Sequence, residues 1–264
     1  MTSAGQDLVL GVAAGAAEVC LMQPTLYLKN ASQQGLPFTM DPRYLYRGLG
    51  ASVLDMAVLT GLQFPLTKIM SSIVTGGASR KLTGSEMVAS GFLGGLVSGV
   101  VCTPMELVMI QQQRFGQSLL TTPVTIVQRY GLGGLMRGLA PSCLREGIFV
   151  AGYLGLGPAL SRHFEDTGHT RNQAKIYSAV IAGVVSATLS HPIDTVKTCM
   201  QGDIEQKRYG SVMQTTQTVA GDGVKAFFRG WNWRAGRNIC SVFIINEVKD
   251  VLAPLLFGHQ EDED

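Results

Sequence analysis

Three arginines and three carboxylates stand in the middle of long apolar stretches of this chain: Arg145, Arg234 and Arg237, with Glu18, Asp55 and Glu146. A guanidinium stays charged at any physiological pH and offers a planar fork of donors that matches a carboxylate. Arg234 and Arg237 are three residues apart, hence on one face of a helix. Arg145 and Glu146 are adjacent, a pairing that suits a zwitterion, one group answering a carboxylate and the other an ammonium. Catalytic patterns are missing: there is no Ser/His/Asp array, no phosphate-binding loop and no metal spacing. His163, His169, His191 and His259 read as loop, helix-boundary or tail residues, so no enzyme and no cofactor is expected. Cys20, Cys102, Cys143, Cys199 and Cys240 are scattered singly and read as small apolar packing residues in a reducing setting.

What must hold these charges is an apolar scaffold. The chain has 264 residues, 46% apolar and 15% charged, with 32 glycines and a net charge of +2. Its mean hydropathy is +0.21. A soluble domain carries roughly 25% charged residues, so the composition excludes disorder and points to a membrane protein. The first 28 residues hold no Lys or Arg, unlike a secretory signal or a transit peptide, so the apolar stretch from Leu8 is expected to begin the mature structure. Period-two alternation is absent, which leaves helices as the membrane-crossing element. Six long helices are expected near 8–34, 49–72, 86–114, 139–162, 174–202 and 231–254, each above the ~20 residues a bilayer needs.

Internal repetition organises them. Pro24, Pro104 and Pro192 begin PTLYLK, PMELVM and PIDTVK, at intervals of 80 and 88 residues. Nine residues before each proline stands Gly15, Gly95 or Gly183, and four before that Gly11, Gly91 or Ala179, a small-residue face for close helix packing. Nine residues after each stands Gln33, Gln113 or Gln201. A second landmark follows each time as Tyr46-Arg47-Gly48, Met136-Arg137-Gly138 and Phe228-Arg229-Gly230. The repeats are read as 1–80, 81–170 and 171–264 within a single domain, 1–264. Each proline falls inside an apolar helix, where it removes one backbone bond and kinks the helix.

The thrice-repeated Pro-x-acid-x-x-base and Arg-Gly patterns resemble the mitochondrial carrier family over essentially the whole chain. The resemblance implies an all-α membrane protein. Its six transmembrane helices would form a pseudo-threefold barrel around a central cavity in the mitochondrial inner membrane, exchanging solutes by alternating access. It also implies a matrix gate, in which Glu106 meets Lys197 and Asp194 meets Lys29, with Gln33, Gln113 and Gln201 bracing the pairs. The third pair is replaced by Leu26 and Met109. Both partners are lost together, so no charge is stranded. Two ion pairs are expected instead of three. At the cytoplasmic end the family's acid positions read Pro65, Pro158 and Asn246, and only Lys68 and Lys249 remain as bases. No ion pair is expected there, and the resting protein should favour the cytoplasm-open state. Gly48, Gly138 and Gly230 start even-numbered helices, whose N-terminal amides suit phosphate. The resemblance places cardiolipin headgroups there, against plain glycine-mediated helix starts as the alternative.

By register with the family's contact positions, Asp55, Arg145, Glu146 and Arg237 face the cavity at mid-depth, with Glu18 on the first helix and Arg234 beside Arg237. Each is a candidate substrate-binding residue, or one half of a structural pair, such as Glu18 with an arginine. Three guanidiniums around one cavity suit a multivalent carboxylate. The three consecutive arginines of nucleotide carriers are absent after Lys197. Cys102-Thr103-Pro104-Met105-Glu106, Thr198-Cys199-Met200-Gln201-Gly202 and Arg234-x-x-Arg237 are similar to the tricarboxylate and citrate–2-oxoglutarate branch, although its basic residues on the second helix are replaced here by Asp55, Val58 and Leu62. An amino-acid exchanger and a degenerate, non-transporting carrier are the alternatives. Glu18 is a candidate to take a proton when a trianion binds. No nucleic-acid partner is implied, and a monomer suffices to form the whole path.

Overall fold

The computed structural model describes residues 4–77, 80 and 82–257. In chain order the α-helices are α1 (Ala4–Gln34), α2 (Pro42–Leu45), α3 (Leu49–Val74), α4 (Gly84–Phe115), α5 (Thr121–Tyr130), α6 (Leu139–Asp166), α7 (Arg171–Gly202), α8 (Val212–Gly221) and α9 (Trp231–Phe257). Two 3-10 turns, Leu132–Met136 and Val224–Phe228, precede α6 and α9. No strand occurs among the described residues. The long helices α1, α3, α4, α6, α7 and α9 correspond to the six expected from sequence. The short helices α2, α5 and α8 add a layer that the hydrophobic pattern did not announce.

Local chemistry explains the helix limits. Thr83 and Glu86 form a reciprocal cap on α4, the Thr83 side chain accepting from the Glu86 N–H and Glu86 Oε2 accepting from the Thr83 N–H at 2.9 Å. Thr170 and Gln173 do the same for α7. These caps satisfy amides that a helix start otherwise leaves open. All six long helices contain a proline: Pro24, Pro65, Pro104, Pro158, Pro192 and Pro254.

The long helices form a closed ring. Each packs against the next in the chain, and α9 returns to α1. The tightest approach is between α4 and α6: a Cβ on Gly99 would lie 2.6 Å from Cys143 Cα, so only glycine permits that crossing. The expected small-residue packing fails in α7, where nothing described would lie within 4 Å of a Cβ on Gly183. There the carbonyl of Gly183 is instead approached by Asn238 Nδ2, at 3.2 Å.

Polarity is inverted relative to a soluble protein. Leu21, Leu54, Ile73, Val100, Leu189 and Leu255 are exposed on the outside. Glu18, Lys29, Glu106, Glu146, Asp194, Lys197 and Arg234 are buried inside. An apolar belt around a charged interior is what a bilayer selects, because backbone bonds close within each helix and charges turn from lipid. Helices α1, α3, α4 and α7 contain stretches apolar enough to cross a membrane by composition alone. Helices α6 and α9 have the length, at 28 and 27 residues, but carry the central charges on their inner faces.

Candidate functional site

The three landmark prolines place their following residues at one end of the ring, where α1, α4 and α7 come together. Lys29 Nζ on α1 lies 2.7 Å from Asp194 Oδ2 on α7, and Lys197 Nζ on α7 lies 2.9 Å from Glu106 Oε1 on α4. Gln33 Nε2 donates to the same Asp194 oxygen at 2.9 Å. At the third junction, between α1 and α4, Leu26 packs against the apolar cluster that holds Met109. Beside it Asn30 Nδ2 donates to Gln113 Oε1 at 2.7 Å. This seam is neutral throughout.

Two of the three glutamines depart from their expected bracing role. With no ion pair at its junction, Gln113 accepts from Asn30 instead. Gln201 directs Nε2 toward the Arg137 carbonyl at 3.4 Å, while its backbone carbonyl accepts from Gln111 at 2.5 Å. The place beside Glu106 is taken by Arg145, whose Nη2 lies 2.7 Å from Glu106 Oε1.

That contact joins a residue expected at the gate to one expected at the substrate site, which the sequence pattern holds apart. Arg145 also lies 2.8 Å from Glu146 and 3.7 Å from Asp194. Arg234 lies 3.6 Å from Asp194, donates to Ser190 Oγ at 2.9 Å, and stands over the Phe149 ring. Arg145 and Arg234 therefore meet at Asp194. Arg237 is apart from them, with Nε and Nη2 at 2.9 and 3.0 Å from the two oxygens of Glu18, which also accepts from Ser241. Asp55 on α3 has a buried Oδ1 without a hydrogen-bond partner among the described residues. Each guanidinium here lies within ion-pair distance of a carboxylate, yet Arg145 Nε and Arg234 Nη1, like Asp55 Oδ1, are buried without a hydrogen-bond partner among the described residues.

At the opposite end, Lys68 is exposed, and neither it nor Lys249 has an ion pair among the described residues. The Phe64 side chain lies outside the described residues.

The Arg-Gly landmarks act through backbone geometry. Gly48, Gly138 and Gly230 have φ of 80°, 78° and 77°, the left-handed region in which a Cβ is penalised. Each carbonyl accepts the first helical bond, from Ser52, Ser142 and Arg234. A Cβ on Gly230 would come to 2.8 Å from the Lys29 carbonyl, and one on Gly48 to 3.0 Å from that of Met109. These turns thus press the starts of α9 and α3 against α1 at Lys29 and α4 at Met109. Arg137 acts through its side chain as well. Its guanidinium donates to the carbonyls of Met200 at 2.8 Å, Asp203 at 3.2 Å, Gly210 at 3.3 Å, and Tyr209. It caps the C-terminus of α7, where the helix dipole favours a cation.

Two residues escaped the sequence reading. His191 is fully buried within α7, away from any helix boundary, and its Nε2 lies 3.1 Å from the Arg229 carbonyl. Gln23 Nε2 donates to the Arg47 carbonyl at 3.0 Å. Both immediately precede a landmark proline, so each ties its proline to the Arg-Gly turn of the same repeat. That shared position was the available signal. His259 lies outside the described residues.

A closed ring of membrane-length helices, apolar outside, charged within and ion-paired at one end, is an architecture suited to a solute transporter. The family model described as mitochondrial carrier protein matches residues 80–167 and 168–259. The chain belongs to the mitochondrial carrier family, and it is a transport protein of the mitochondrial inner membrane. Among similar proteins are mitochondrial tricarboxylate transporter 1 of Mycosarcoma maydis, 27% identical over 96% of this chain and 95% of that one. A probable mitochondrial 2-oxoglutarate/malate carrier protein of Dictyostelium discoideum is 25% identical over 79% of this chain and 71% of its own. The mitochondrial glycine transporter YMC1 of Saccharomyces cerevisiae is 28% identical over 86% and 83%.

Proposed function

We propose that this carrier exchanges tri- and dicarboxylates, of the citrate and 2-oxoglutarate kind, by alternating access through one central site. The observation that carries the reading is the meeting of Arg145 and Arg234 at Asp194, with Arg237 holding Glu18 one helical turn along α9 from Arg234. Resident carboxylates already occupy these guanidiniums, so the site is chemically matched to cargo carboxylates that replace them. The tricarboxylate and 2-oxoglutarate/malate relatives support the same substrate class. Lys29–Asp194 and Glu106–Lys197 serve as the matrix gate, shut in this conformation, with Gln33 as its brace and Gln113 and Gln201 at its margin. The end near Lys68 and Lys249 is the cytoplasmic side, closed in the other state by packing alone. Gly48, Gly138 and Gly230 turn helix starts toward cardiolipin headgroups, and one monomer, with repeats 1–80, 81–170 and 171–264, forms the path.

A second reading is favoured by one observation. Asp55 Oδ1 is buried without a partner, and Glu146 stands beside Arg145, so an ammonium group would find an acceptor next to a carboxylate-binding arginine. Exchange of an amino acid is that reading, and the glycine transporter is a relative consistent with it.

Reconstituted liposomes separate the two. Saturable citrate uptake that requires internal 2-oxoglutarate or citrate, and is lost in Arg237→Ala, supports carboxylate exchange. Glutamate or ornithine exchange without citrate uptake supports the second reading. Silence in every pairing overturns both in favour of a carrier that no longer transports.

A further inference from the structure

We infer that Glu18 is a tethered competitor for the cargo: its carboxylate sits on Arg237 in the place where an incoming carboxylate first docks, and so sets how many carboxylates a substrate must bring. The inference rests on the carboxylate reading of the site.

The cluster holds Lys29, Arg145, Lys197, Arg234 and Arg237 against Glu18, Asp55, Glu106, Glu146 and Asp194. At Arg237 both Nε and Nη2 already hold the two oxygens of Glu18, so a carboxylate that docks there as a fork has to displace that resident acid. Displacing Asp194 or Glu106 strips Lys29 or Lys197 and breaks an interhelical pair. Glu146 shares Arg145 with Glu106 and Asp194. Glu18 and Arg237, by contrast, are each other's only ionic partners among the described residues. Exchange there leaves the rest of the network intact.

Accessibility points the same way. The Arg237 side chain is 22% exposed, against 14% for Arg145, 10% for Arg234 and 3% for Lys197. It is the most exposed cation of the cluster. Both its donors are presented as a fork to both oxygens of Glu18, the geometry a free carboxylate would adopt. Ser241, one helical turn beyond Arg237 on α9, already bonds Glu18 and offers it a donor once the guanidinium is taken. The displaced acid is thus kept from being buried without a partner.

A specificity rule follows. A monocarboxylate that takes Arg237 exchanges one ion pair for an equivalent one and gains nothing. A di- or tricarboxylate gains further contacts deeper in, at Arg145 and Arg234. Glu18 therefore filters against cargo with a single carboxylate.

The test is uptake kinetics in liposomes with labelled citrate and labelled pyruvate as probes, comparing wild type, Glu18→Gln and Ser241→Ala. Glu18→Gln should lower the citrate KM about fivefold or more, since an amide competes poorly for a guanidinium, and should admit pyruvate. Ser241→Ala should raise the citrate KM, because the displaced acid then has no donor waiting. A merely structural role for the Glu18–Arg237–Ser241 contact would move both variants the same way. An unchanged or raised KM in Glu18→Gln overturns the inference while leaving carboxylate exchange standing. If Glu18→Gln does not insert, an unchanged or lowered KM in Ser241→Ala overturns it alone. No citrate uptake by the wild type removes both the carboxylate reading and this inference.

Discussion

Asp194 is the acid on which the network turns, and its replacement should cost more than that of any one of its partners. It lies 2.7 Å from Lys29, 2.9 Å from Gln33, 3.6 Å from Arg234, 3.7 Å from Arg145 and 4.0 Å from Lys197. Arg145 and Lys197 retain Glu106 when Asp194 becomes Asn, but Lys29 and Arg234 keep no carboxylate within reach. Stranding buried charge in this way costs about 3–5 kcal/mol. Lys29→Met is the milder change, because Asp194 then still faces Gln33, Arg234 and Arg145; the loss is about 1.5 kcal/mol, that of one charge-assisted bond. The double variant Asp194→Asn/Lys29→Met should recover about 2 kcal/mol relative to Asp194→Asn alone, since it removes the stranded ammonium. Thermal unfolding of the detergent-purified protein, followed with a thiol-reactive fluorophore, reads this as the rise above the signal of the exposed Cys20 and Cys240 when the buried Cys102 and Cys199 become reactive. At roughly 2–4 °C per kcal/mol for a chain of about this size, Asp194→Asn should lower Tm by on the order of 10 °C. The reasoning is refuted if Lys29→Met is at least as destabilising as Asp194→Asn, or if the double variant melts no higher than Asp194→Asn.

Three further outcomes are expected. Gly230→Ala should cost about 1–2 kcal/mol from its left-handed φ, and more because its Cβ meets the Lys29 carbonyl; Gly221→Ala, with open space around it, should leave the melting temperature nearly unchanged. Arg137→Gln should accelerate hydrogen exchange selectively over residues 200–210, with a cost of about 1–3 kcal/mol as the α7 carbonyls lose their donor; uniform exchange across the chain would count against the cap. Asp203, just past α7, is held below the ordinary carboxylate range: burial alone would raise it, but the backbone N–H groups of Tyr209, Arg208 and Lys207 outweigh burial. Its contribution to stability is therefore full above an unfolded value near ~4 and lost as pH falls through the lower folded value. Asp203→Asn should flatten the acid limb of a stability–pH profile, and an unaltered limb would show that the loop is held by other groups.

The six long helices were legible because apolar stretches of membrane length and tripled landmarks leave little alternative. Composition was also enough to say that the charges must face inward. The short helices α5 and α8 were missed because Thr-rich segments of ten residues have weak propensity and are stabilised by docking on α4 and α7. The pairs Lys29–Asp194 and Glu106–Lys197 follow from the family resemblance, and their distances match that arrangement. What register could not provide was rotation about the even-numbered helices. A shift of one residue turns a side chain by about 100°, so whether Arg145 reaches Glu106 or open cavity is decided by the close crossing at Gly99 and Cys143. Arg137 was likewise legible only as part of a helix start, although its guanidinium serves the end of a different helix.

The neutral seam between α1 and α4 has a consequence for the order in which the protein is made. Helix α1 is synthesised first, yet among the described residues it forms no ion pair with α4, the next helix with a landmark proline. Lys29 waits for Asp194, 165 residues later, and Glu18 waits for Arg237, 219 residues later. Until α7 arrives the earliest helix holds two charges that a bilayer does not accept singly, and until α9 arrives it still holds one. A chain halted after α7 should therefore keep Glu18 uncompensated, the charge on α1 that only the C-terminal helix can answer.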